Sequence, residues 1–147
     1  MKTIGQILKE KGSQIWQVAP ETLVFDALEL MADKDVGALL VMQERKVLGI
    51  FSERDYARKV ILRGKSSKKI PVSEIMSSNV IFITPDQSCE KGLVLMTAAH
   101  VRHLPVFEEK ALIGVISIGD LVNAVMSEQK QVIDKLERYI LENVSLT

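Results

Sequence analysis

GIFSERD, residues 49–55, and GVISIGD, residues 114–120, each carry an apolar run into a Ser and place an Asp three residues beyond it. Between Ser and Asp the two stretches share nothing: Glu53-Arg54 in one, Ile118-Gly119 in the other. Working outward at a constant offset of 65, residues 18–55 align with 83–120 without a gap, and 11 of 38 positions are identical. Pro20/Pro85, Leu28/Leu93, Met31/Met96, Val41/Val106, Gly49/Gly114, Ser52/Ser117 and Asp55/Asp120 are among them. The remaining pairs keep apolar with apolar and turn with turn. An internal repeat decides the fold before any local signal does.

Each copy has one order of elements. IWQV (15–18) and VIFI (80–83) read as short β segments. Pro20 and Pro85 then open a helix, with Glu21 and Asp86 at its positive end. Leu23, Ala27, Leu30 and Met31 recur at helical spacing in the first copy, and Leu93, Met96 and Thr97 do so in the second. ALLVM (38–42) and HLPVF (103–107) are strands, QERK and EEKA are turns, and VLGIFS (47–52) and LIGVIS (112–117) complete hairpins. A second helix starts near Glu53 and near Ile118. The fold class is α+β: two β-α-β-β-α repeats. A unit of about 60 residues buries too little surface to stand safely alone, so the repeats are expected to pack with pseudo-twofold symmetry. The expected boundaries are 1–66 for the first repeat, 67–126 for the second and 127–147 for a further C-terminal helix. RGKSSKKIPVSE (63–74) serves as the linker. Val132, Leu136, Tyr139 and Ile140 make an apolar stripe on the last helix, read as a packing face.

Composition narrows the class. The 147 residues are 47% hydrophobic and 26% charged, with a formal net charge of zero. A dedicated nucleic-acid binder carries a basic excess, so nucleic acid is not expected. The one cysteine, Cys89, forms no internal disulfide. MKTIGQILKEKGSQ at the start has no apolar core of signal-peptide length, and no apolar run approaches the ~18 residues of a membrane span. The expectation is a soluble cytoplasmic protein with no membrane partner.

The repeated Ser and Asp have a structural reading and a chemical one. Ser52 and Ser117 can cap the helix that follows, and Asp55 and Asp120 suit its dipole. A helix start tolerates many side chains, however, and a recurring Ser-x-x-Asp asks for more. An ionised carboxylate accepts from both hydroxyls of a ribose diol, and a helix N-terminus beside it offers N–H groups to phosphate. Arg102 and His103 supply cations at the start of a strand, where the first copy has Gly37 and Ala38. Arg54 lies inside the first Ser-x-x-Asp; Arg58 and Lys59 read as a solvated face. A hydrolase triad of Ser117, His103 and Asp120 is rejected because no G-x-S-x-G elbow is present. GKSS (64–67) lacks the upstream Gly of a phosphate loop. His100, His103 and Cys89 lack the spacing of a metal site.

In order, spacing and doubling, PETLVFDALELMADKDVGALLVMQERKVLGIFSERD and PDQSCEKGLVLMTAAHVRHLPVFEEKALIGVISIGD resemble a tandem pair of cystathionine-β-synthase (CBS) domains, a Bateman module, over residues 3–126. The resemblance implies a regulatory module, not an enzyme, that binds an adenosine nucleotide in the cleft between its repeats. AMP or NAD is the expected ligand and ATP a further candidate; no catalytic cofactor and no metal are implied. Asp55, Asp120, Ser52 and Ser117 would hold ribose. Arg102, His103 and Arg54 would meet phosphate, the first two serving the nucleotide on Asp55. Ile15, Gln17, Val18, Ile81 and Ile83 would line the adenine slot. The resemblance also implies a homodimer of CBS pairs and an effector protein encoded elsewhere. The alternative is a protein-interaction scaffold without ligand.

Overall fold

Two-residue turns at Glu44-Arg45 and Glu109-Lys110 fold the two strongest apolar runs back on themselves. In the computed structural model, which describes residues 1–144, β2 (Ala38–Gln43) pairs antiparallel with β3 (Lys46–Ser52), and β4 (His103–Glu108) with β5 (Ala111–Ser117). Both ladders slip by one residue at the same place, between Val41 and Met42 and between Val106 and Phe107. Glu44 and Glu109 both adopt a left-handed φ of 57°. A tight hairpin that matches the strand twist needs a positive φ there, a conformation that costs a side-chain-bearing residue.

β1 (Gln17–Val18) adds to this hairpin in parallel, with Gln17 beside Leu40. The second copy has no such strand. VIFI contributes one bridge, Ile83 to Val106, held by Ile83 N–H to the Pro105 carbonyl and Phe107 N–H to the Ile83 carbonyl. In the first copy Leu40 N–H donates to the Trp16 carbonyl. Pro105 stands at the position equivalent to Leu40 and has no N–H to give, so the ladder stops one rung short.

The helices begin later than the prolines suggest. α2 covers Val24–Lys34 and α4 covers Cys89–Ala99. Pro20 and Pro85 instead take the second position of turns closed by Thr22 N–H to Ala19 and Gln87 N–H to Thr84. Asp26 and Glu90, not Glu21 and Asp86, sit in the first turns. Ser88 caps α4 by accepting from Lys91 N–H. Each helix ends on a left-handed residue, Asp35 or His100.

The chain resolves into two compact units, residues 14–81, and residues 1–13 with 82 onward. These bounds differ from the expected 1–66 and 67–126 because a short segment is exchanged at each repeat's entry. α1 (Ile4–Lys11) starts on a capping box in which Thr3 and Gln6 bond reciprocally. Its backbone joins the second repeat through Ile4 N–H to Gln87 and Gly5 N–H to Pro85. Residues 70–77 join the first repeat through Val24 N–H to Ile70 and Val72 N–H to Thr22. The signal was present: TIGQIL (3–8) and PVSEIM (71–76) match at an offset of 68 rather than 65, outside the ungapped alignment.

Apolar side chains explain each unit's core. In the first, Val24, Ala27 and Met31 of α2 meet Leu39, Val41 and Phe51 of the hairpin and Val72 and Ile75 of the exchanged segment. In the second, Ile4, Ile7, Leu8, Met96, Leu104, Val106, Ile116 and Leu121 are buried. Complete burial of a Phe51 or Leu104 is worth about 1.5–3 kcal/mol each.

After β3 the chain enters α3 (Glu53–Tyr56) and a π turn, Ala57–Ile61. After β5 it enters α5, an unbroken helix from Ile118 to Val144. The expected separate helix from residue 127 is therefore the second half of α5, since no Pro and no Gly beyond Gly119 interrupts it. Residues 145–147 of that expected segment lie outside the described residues. Leu121 and Ala124 anchor the helix to its unit, whereas every residue from 129 to 143 is exposed.

Candidate functional site

Each Ser-x-x-Asp forms where a strand turns into a helix. Ser52 Oγ accepts from Asp55 N–H at 3.2 Å, and Ser52 N–H donates to Asp55 Oδ2 at 3.0 Å. Ser117 and Asp120 repeat this at 3.1 and 2.8 Å. The pair is thus a reciprocal cap in both units, and the spacing of three follows from the reach of a carboxylate back to the N-cap amide. The first helical N–H is also held in both, by Gly37 and Arg102 carbonyls at the starts of β2 and β4.

Beyond the cap, the two carboxylates differ. Asp55 is 9% exposed and is the buried charged side chain of the described residues. Its Oδ2 also accepts from Ser52 Oγ at 3.0 Å, and its Oδ1 accepts from Ser77 Oγ at 3.2 Å and pairs with Lys59 Nζ at 3.2 Å. Lys59 also donates to the Ile75 carbonyl at 3.1 Å, so it is committed to this junction rather than a solvated face. Two partners on each oxygen fill a carboxylate's ordinary capacity.

Asp120 is less enclosed. Oδ2 takes Ser117 N–H and the Lys11 ammonium, the latter at 2.6 Å, and Lys11 also donates to the Val115 carbonyl at 2.9 Å. Oδ1 has no partner among the described residues. Burial pushes the Asp120 pKa up, but the bonds from Lys11 and Ser117 and the Lys11 charge outweigh it and hold the carboxyl below its ordinary value. His103 sits opposite Ser117 in the hairpin and feels the Asp120 charge. Burial lowers its pKa first; Asp120 raises it, and Lys11 and Arg102 lower it again. The net is a neutral imidazole at pH 7, a hydrogen-bonding group rather than the cation the sequence suggested.

The structure therefore gathers Lys11, His103, Ser117 and Asp120 in one unit, and Ser52, Asp55, Lys59 and Ser77 in the other. Within its own repeat, His103 neighbours Asp120. Arg102 and Arg54 extend exposed side chains from the two junctions. Lys11 and Ser77 were missed because both lie in the exchanged segments. Of the adenine-slot residues, Gln17 and Val18 form β1, Ile15 and Ile81 are half-buried, and Ile83 is 3% exposed in its unit's core. His100 caps α4 and Cys89 donates to the Leu121 carbonyl inside the core. Among the described residues no group of three His, Cys, Asp or Glu is placed to hold a metal.

Two hairpin repeats, each delivering a Ser–Asp cap at its strand-to-helix junction, define a tandem-repeat module. The chain belongs to the CBS-domain family, whose model matches residues 12–62 and 72–127. It is 38% identical to the mitochondrial CBS domain-containing protein CBSX3 of Arabidopsis thaliana, over 94% of this chain and 71% of that one. A solved CBS-domain protein from Burkholderia ambifaria MC40-6 is 47% identical and superposes with a TM-score of 0.83, covering 87% of this chain and 96% of its own. The CBS domain pair of protein MJ0100, solved with 5′-methylthioadenosine and S-adenosyl-L-methionine, shares the fold at a TM-score of 0.74 and 18% identity, over 87% and 98% of the two chains. No helix among the described residues is long and apolar enough to cross a membrane.

Proposed function

We propose that this chain is a non-catalytic adenosine-nucleotide sensor that regulates an effector protein. The observation that carries the reading is Asp120: a carboxylate held below its ordinary pKa, with Oδ1 unengaged, at a helix start, paired with Lys11 and near His103, which Arg102 precedes in the chain. A ribose diol matches the carboxylate, and a phosphate matches Lys11 and Arg102 with Ser117 and His103 as hydrogen-bonding neighbours. The adenosine ligands of the MJ0100 pair support the same class. Asp55 with Ser52 and Arg54 forms the second, weaker site, since a diol there must displace Ser77 or Lys59. AMP and NAD are the ligands we favour, with ATP next. Residues 15, 17, 18 and 81 remain the proposed adenine contacts; Ile83, at 3% exposure, is packed in its unit's core and is withdrawn from the slot. The buried, unbridged Cys89 supports a reducing compartment, the cytoplasm in this reading. We also propose that the module works as a homodimer.

The test is thermal unfolding of the chain with and without AMP, NAD and ATP. Ligand at 100 times its Kd adds ~2.7 kcal/mol of stability. Asp120→Asn should abolish most of the shift and Asp55→Asn less of it. An unchanged midpoint with all three nucleotides would leave the scaffold reading, which the exposed face of α5 favours.

A further inference from the structure

Residues 129–143 of α5 form four turns of helix in which every residue is exposed. Isolated helices of this length are marginal in water, and most helical stability in proteins comes from packing an apolar face. This segment has such a face. Met126, Ile133 and Ile140 alternate with Val122 and Leu136 at spacings of four and three, and these side chains are 40–62% exposed or close to it: Met126 62%, Ile133 54%, Leu136 56%, Ile140 56% and Val122 42%. Gln129 and Asn143 complete the repeat. That is the spacing of a two-helix seam, with Met126, Ile133 and Ile140 at one core position and Val122, Gln129, Leu136 and Asn143 at the other.

The charges say what covers it. The polar face mixes Lys130, Lys135 and Arg138 with Glu128, Asp134, Glu137 and Glu142, so it lacks the Lys/Arg excess of a membrane-surface helix. One flank of the seam carries Lys130 and Glu137; the other carries Val132 and Tyr139. Neither Lys130 nor Glu137 has an ion-pair partner among the described residues. In an antiparallel pair related by a twofold axis, each flank meets itself. The midpoints of Lys130–Glu137, Ile133–Leu136 and Val132–Tyr139 all fall between Ile133 and Leu136. One twofold axis therefore sets Lys130 against Glu137 of a second copy twice, Ile133 against Leu136 twice and Val132 against Tyr139 twice. A parallel pair would set Lys130 and Glu137 against Val125 and Val132 instead and form no ion pair.

We infer that the C-terminal half of α5 is a self-association surface, and that its partner is the same segment of a second copy of this chain, antiparallel and centred between Ile133 and Leu136. This deepens the homodimer proposed above and is independent of the nucleotide sites.

Cysteine pairing in the full chain tests it. Lys130→Cys and Glu137→Cys are made separately. Within one helix these positions are about 10 Å apart, beyond the ~7 Å reach of a disulfide. On oxidation, an equimolar mixture should give a covalent dimer that neither variant gives alone. Sedimentation then measures the energetics: Leu136→Asp should weaken self-association on the order of 100-fold, since the side chain is lost from both copies. Lys130→Glu should weaken it, and Lys130→Glu with Glu137→Lys should restore it. No cross-link on mixing, or equal cross-linking by each variant alone, overturns the proposal. So does a dimer indifferent to Leu136→Asp, which would place the homodimer on another surface and leave the nucleotide reading as it stands.

Discussion

Lys11→Met tests the most specific feature of the second unit, a lysine from the exchanged helix that completes the Ser117–Asp120 junction. Lys11 Nζ lies 2.6 Å from Asp120 Oδ2 and 2.9 Å from the Val115 carbonyl. The two side chains are 36% and 22% exposed, so solvent screening reduces the ion pair to ~0.5–1 kcal/mol. The bond to Val115 adds ~0.5–1.5 kcal/mol. Lys11→Met should therefore cost ~1–2 kcal/mol in urea unfolding. A double-mutant cycle with Asp120→Asn should return a coupling of ~0.5–1 kcal/mol, because the Val115 bond is lost in both arms that carry the Lys11 change and cancels. The pH dependence gives a second readout. The Asp120 carboxyl lies below its ordinary value in the fold, so its stabilisation is complete above about pH 4 and is lost as pH falls through the folded value. His103 is also lowered, so the unfolded chain takes up its proton first and stability declines as pH falls below about 6.5. Both terms weaken the fold in acid, in two separate windows. Lys11→Met should flatten the lower window, and His103→Gln the upper. A coupling indistinguishable from zero at the ~0.3 kcal/mol level of such cycles, or an unchanged acid limb, would refute the assignment of Lys11 to Asp120.

Three further outcomes are expected. Glu44→Asn and Glu109→Asn should each stabilise by about 0.5 kcal/mol in urea unfolding, because Asn tolerates the left-handed φ of 57° better than Glu. Gly49→Ala should cost more than Gly114→Ala, with both in the range of about 1–3 kcal/mol. A methyl on Gly49 would meet Met76 Sδ at 2.7 Å and the Ser77 carbonyl at 2.8 Å, backbone that is fixed by its bridge to Ile50, whereas one on Gly114 meets only the flexible end of Leu8; equal losses would count against the rigidity of that bridge. Cys89 should resist thiol reagents until the chain unfolds, since burial, Glu128 and Glu90 all push its thiol up; rapid labelling of the native chain would show that α4 and α5 separate readily.

The hairpins, the helix after each Ser and the family were legible because they depend on local patterns that recur: alternating or continuous apolar runs, short polar turns and a Ser with an Asp three residues on. The late starts of α2 and α4 were not, because Pro fits the second position of a turn as well as it fits a helix start, and only the bond from Thr22 to Ala19, or from Gln87 to Thr84, separates the two. The missing strand at VIFI turns on an absent N–H at Pro105, a residue 22 positions away whose ladder partner is known only once β4 is placed.

By itself, then, the sequence determined that this chain is two copies of one unit and that each copy ends its hairpin in a capped Ser-x-x-Asp, since repeat register and capping act over a few neighbouring residues. Only the tertiary structure decided which lysine reaches which carboxylate. Lys11 and Asp120 are separated by 109 positions, and Ser77 and Asp55 by 22. Those pairs exist because the entry segments of the repeats are exchanged, and burial at each junction then sets how many partners each carboxylate keeps.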